Sequence, residues 1–221
     1  MRIVAVAAVL LSMAVSAQLV LPPAPSTDEV LDFLKTMPIS AELKALFAPV
    51  LSAGLSTGRA TPGVSLPFLR QIAALSPAQA EEVVWVIHHA LDRGFITDPL
   101  MNDVLKVLQM GQPWEAVLTN LKIRYNLLGA AQQVLIQYRI VGVGPQGPGG
   151  PLLPQDRLVL EMAWAVGDFV ISQPRESLEA FVRSRFVKLR GAVLDPGDVD
   201  RLLEALTAEL VQQIAYRAYG P

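Results

Sequence analysis

"SPAQAEEVVWVIHHALDRG", residues 76–94, reads as one complete helix. The Ser76 hydroxyl can cap a free backbone N–H, Pro77 suits a first turn that needs no N–H, and Gly94 can take the left-handed conformation that stops a helix. At about 100° per residue, Val83, Val84, Ile87, Ala90 and Leu91 fall on one face. Glu81, Trp85, His88, His89 and Asp92 fall on the other.

The same punctuation recurs along the chain. Ser26 and Glu29 can form a capping box ahead of Val30, Leu31, Phe33, Leu34 and Met37, which follow at helical spacing. Ser40 opens "SAELKALFAPVLSAG", where Pro49 is expected to end or kink the helix because it lacks a donor and crowds the preceding turn. Asp98-Pro99 opens the next helix, with Asp98 as cap and Gly111 as stop. Residues 113–140 form the longest candidate, apolar on two sides and so expected near the centre of a bundle, with any bend at Gly129. Three more helices are expected at 155–172, 174–189 and 196–219. With almost no strand signal, the pattern predicts an all-α bundle of about seven to eight helices whose short connections make neighbours antiparallel. No internal repeat of fixed period is evident in the residues themselves.

The N-terminus, "MRIVAVAAVLLSMAVSAQ", has one basic residue, an apolar run from Ile3 to Val15, and small residues at Val15-Ser16-Ala17. That is the layout of a secretory signal peptide over residues 1–17, cleaved after Ala17. The run is about 13 residues against the roughly 20 that a bilayer span needs, so no stable transmembrane span is expected after cleavage. The expected location is periplasmic or extracellular. Lacking cysteine, the chain can form neither a disulfide nor a lipidated cysteine. An N-terminal helical part is expected over 18–140 and a C-terminal one over 155–221. The segment between them, "VGVGPQGPGGPLLP" (141–154), is too rich in glycine and proline for periodic structure and reads as a loop or linker.

Removing Arg2 leaves 17 basic and 20 acidic side chains, a balance that gives no general attraction to nucleic acid. At 52% hydrophobic and 17% charged residues, the chain can build a real core.

Few residues suggest chemistry. His88 and His89 are the only histidines, and His88 with Asp92 could place two ligands on one ion; a zinc site needs three or four, so no metal or other cofactor is expected. Trp85 beside them is a candidate contact for a ligand or partner, as exposed tryptophans often are. Glu161 and Asp168 lie seven residues apart with Trp164 between them, a second candidate face. Arg183, Arg185, Lys188 and Arg190 form a basic helical stretch that could meet an anionic envelope surface. Glu176-Ser177 resembles the Glu-Ser pair of lytic transglycosylases, but the glycine-rich segment expected downstream is absent. Arg124 with Arg175-Glu176 resembles the cation pattern of secreted chorismate mutases, but no lysine lies between Lys122 and Lys188. Neither likeness assigns a family.

These observations predict an exported, non-catalytic helical interaction or scaffold protein of the cell envelope, its partner unknown. Two alternatives stand beside it. One is a binder of an apolar or amphipathic ligand in a cavity lined by Trp114, Tyr125 and Trp164; the other is a small envelope enzyme using Glu161, Asp168 or Glu176.

Overall fold

The computed structural model describes residues 23–137, 147–153, 156–157 and 159–164. Six helices are named within them: α1 (Thr27–Thr36), α2 (Ala41–Thr57), α3 (Pro62–Ile72), α4 (Pro77–Asp92), α5 (Asp98–Gln109) and α6 (Trp114–Gln137). Residues 156–157 and 159–164 are also helical and are called α7. The described residues contain no strand, so the protein is an all-α, multi-helix molecule.

Local chemistry sets most of the ends. Ser26 and Glu29 close the expected capping box on α1, and Ser76 and Gln79 close a second one on α4. Gly58, at φ 78°, ends α2 in the left-handed region, and Gly94 takes φ 79° in the turn after α4.

Four expectations are corrected. Pro49 does not end α2, which runs on to Thr57. Pro49 is exposed, so water can serve the carbonyl it leaves without an intrahelical donor. The periodicity passes over α3, because Pro67 lies inside it, yet Leu66, Phe68, Leu69 and Ile72 form its buried face. Thr97, not Asp98, is the boundary residue of α5; the Asp98 carboxylate instead accepts the Thr61 N–H at 2.8 Å and the Thr61 hydroxyl at 2.7 Å, capping α3 from a distance.

The fourth correction concerns repetition. Helices α1, α3 and α5 begin at residues 27, 62 and 98, spacings of 35 and 36, and α2, α4 and α6 begin at 41, 77 and 114, spacings of 36 and 37. Packing follows that period: α1 lies on α3 and α3 on α5, while α2 lies on α4 and α4 on α6. Within the second row the helices run parallel, since Ser40 meets Glu81 near their starts and Gly54 meets Leu91 near their ends. The result is two layers of helices built from three stacked hairpins, the packing logic of helical repeat arrays. One hydrophobic core runs between the layers, from Val30, Phe47 and Phe68 through Ile87 and Leu100 to Leu121 and Leu128, and takes in Val159, Met162 and Ala163 of α7. The repeat is invisible as sequence identity because many apolar residues can fill such a layer.

The turns joining one hairpin to the next stack along one edge. The Arg59 carbonyl accepts the Thr97 N–H at 2.8 Å, tying the first turn to the second. Residues 147–151 of the glycine- and proline-rich segment lie along the same edge: the Thr57 hydroxyl donates to the Pro148 carbonyl at 3.1 Å, and a Cβ added to Gly94 would meet the Gly147 carbonyl oxygen at 3.0 Å.

Candidate functional site

Helix α4 places Glu82, Trp85, His89 and Asp92 on its solvent side, one or two turns apart. Trp85 is 37% exposed, high for so large an apolar surface. Its ring stacks on His89 at 5.5 Å between centroids with an interplanar angle of 23°, and His88 meets it edge-on at 5.5 Å. Glu82 accepts the indole N–H of Trp114 from α6 at 3.3 Å, so α4 and α6 share the acidic end of the stripe.

His88 departs from its expected position on the polar face: it is only 9% exposed and packs 6.4 Å from the Phe47 ring of α2. The reason is the neighbouring helix, which covers the flank of α4 that a wheel drawn for one helix leaves to water. The Nδ1 of His88 has no hydrogen-bond partner. Burial, and then the neighbouring His89, pushes its pKa below the ordinary histidine value, with Asp92 opposing more weakly. Glu81, the other carboxylate on this helix's polar side, is engaged elsewhere: it accepts the Ser40 N–H at 2.6 Å and so caps α2.

Three arginines that periodicity did not single out as structural do much of the joining. Arg59, 1% exposed, donates to Asp156 at 2.9 Å and to the Pro151 carbonyl at 3.0 Å. Arg93 lies over the Phe95 ring at 5.0 Å and donates to Gln132 at 3.2 Å, crossing α6 at Gly129, where an added Cβ would come within 3.1 Å of its guanidinium. Gly129 is thus a crossing point within a helix that continues to Gln137. Arg124 pairs with Asp103 at 3.1 Å, lies over Trp164 at 4.9 Å and donates to the Trp164 carbonyl at 3.3 Å. Burial pushes the Asp98 carboxyl above the usual carboxylate range, while its two hydrogen bonds from Thr61 pull it back.

The predicted residues therefore separate. Trp85, His88, His89 and Asp92 are brought together on α4. Trp164 is half-buried beneath Arg124, and Glu161 is exposed on α7 as well. Asp168, Glu176, Arg183, Arg185, Lys188 and Arg190 lie outside the described residues. Trp114 contacts Glu82, Tyr125 contacts Phe95, and Trp164 lies beneath Arg124. A groove of about 580 Å³ opens between α1 and α2, lined by Leu31, Leu34, Ala45 and Ala48 with Asp28, Asp32, Lys35 and Lys44 at its rim. Among the described residues no three His, Asp or Glu side chains group to hold a metal, and no helix is long and apolar enough to cross a membrane. Comparison with protein-family models, curated proteins and solved structures finds no match.

Proposed function

We propose that the protein is an exported, non-catalytic interaction scaffold of the cell envelope. The observation that supports it best is the division of labour among its polar side chains. Arg59, Arg93, Arg124, Glu81 and Asp98, on or beside the interior, each bind another element of the chain, whereas the stacked Trp85–His89 pair faces outward from α4. A stacked helical array presents a broad rigid surface at little entropic cost on binding, which suits recognition of a partner. Export rests on the tripartite N-terminal sequence.

The test is made in the native host. Cell fractionation with N-terminal sequencing should find the chain in the envelope fraction beginning at Gln18, and a photo-crosslinker introduced across its surface should trap a discrete partner. A cytosolic chain with an intact N-terminus, or one that traps nothing from any surface position, would refute the reading.

A second reading, binding of an amphipathic ligand, draws on the α1–α2 groove, where apolar side chains are rimmed by both signs of charge. Lauric acid as probe should then raise the melting temperature, and Ala48→Trp, which fills the groove, should abolish that rise.

A further inference from the structure

We propose that the outer face of the α2–α4–α6 layer is a docking surface for a cationic polypeptide segment, with the Trp85–His89 pair as the seat for an arginine or lysine side chain. This rests on the scaffold reading and names the surface and the partner chemistry.

Glu82, Trp85, His89 and Asp92 span eleven residues of one helix, a stripe of about 15 Å. The order along it is acid, indole, imidazole, acid. A guanidinium or ammonium group placed over an exposed indole is attracted by the negative face of the ring, and carboxylates one turn to either side add Coulombic attraction to the same ligand. The neighbouring helices extend the pattern. Glu42 and Leu46 are exposed on α2, and Glu115 is exposed on α6. Against Glu42, Glu82, Asp92 and Glu115, the fully exposed positions carry one base, Lys122, and half-exposed Arg93 lies between α4 and α6 at the far end of the stripe. The face is therefore acidic although the whole chain is nearly balanced, and its charge is complementary to a basic partner.

The indole is also held in place. His89 stacks on it, His88 braces it edge-on, and His88 in turn packs on buried Phe47. A ring fixed at the surface loses little rotamer freedom on binding, which favours recognition. The Nδ1 of the bracing His88 ring is buried and has no hydrogen-bond partner, a polar atom that the fold itself leaves unsatisfied.

The experiment uses the protein purified from its host and fluorescently labelled octa-arginine, read by anisotropy, with octa-glutamate and a neutral Gly-Ser octapeptide as comparison probes. Octa-arginine should bind saturably and more weakly as salt rises. Trp85→Ala should weaken binding about threefold to fivefold and Trp85→Phe less, because phenylalanine keeps the apolar contact with a weaker ring potential. Asp92→Asn with Glu115→Gln, which leaves the Glu82–Trp114 bond intact, should also weaken it severalfold. Glu29→Gln, on the exposed side of α1, where glutamine can keep the capping box as Gln79 does on α4, should leave it unchanged. Circular dichroism keeps unfolding distinct from lost contact. The proposal is overturned if octa-arginine fails to bind the folded protein, if Trp85→Ala binds like the parent, if Glu29→Gln weakens binding as much as the double variant, or if the neutral peptide binds equally well. A partner crosslinked elsewhere on the surface would then keep the scaffold reading and sink only this assignment.

Discussion

His88 shows how one side chain links packing to pH. Because burial holds its pKa below the unfolded value, the folded state favours neutral imidazole. Its contribution is present above the unfolded pKa of about 6.5 and is lost as pH falls through the lower folded pKa. Urea unfolding should show the parent losing stability more steeply than His88→Gln as pH falls below about 6.5; parallel curves would show that His88 is solvated. Glycine offers a second test at this scale. Gly58 and Gly94 have nearly the same positive φ, but a Cβ at Gly58 meets open space whereas one at Gly94 meets the Gly147 carbonyl. Gly58→Ala should cost about 1 kcal/mol for the left-handed backbone. Gly94→Ala should cost clearly more, as read by denaturant midpoints. The histidine pair was legible from sequence, but the burial of His88 was not, because a wheel treats a helix alone and α2 supplies the cover.

Among the elements, the contact between the first turn and the segment from 147 to 157 is the most exacting. Arg59 is buried with its charge, and Asp156 is the partner that neutralises it. Removing one member of such a pair leaves an uncompensated charge, so Asp156→Ala should cost about 3 kcal/mol. Hydrogen exchange should locate the loss at residues 147–153 as well as at the turn around Arg59. An effect confined to Asp156 itself would mean that the pair does not hold the segment. The glycines and prolines mark residues 141–154 as non-periodic in sequence, and residues 147–153 are turn and irregular chain. Glycine and proline could not say that the segment packs along the turn edge, since that depends on an arginine almost a hundred residues earlier. For α3, the Thr61-Pro62 opening was readable as the same device seen at Ser76-Pro77, but the interior Pro67 masked the apolar spacing behind it.

At the scale of the whole molecule, stacked hairpins make stability depend on neighbours. A chain ended after Gln146 loses Asp156 and the Pro151 carbonyl from Arg59, and Trp164 from Arg124. Its helices α1 to α6 should still form by circular dichroism, with a melting temperature lower by about 10 °C and lower than that of Asp156→Ala in the full chain. An unchanged melting temperature would separate the two parts energetically. Helix class, most helix starts and the α4 cluster followed from the sequence alone, because caps, proline, glycine and apolar spacing act within a few residues. Tertiary structure alone decided the two-layer order, the 35–37-residue repeat, the burial of His88 and the roles of Arg59, Arg93 and Arg124. Those depend on which helices become neighbours, and apolar packing allows many sequences to make the same contact while one buried charge must find a particular partner.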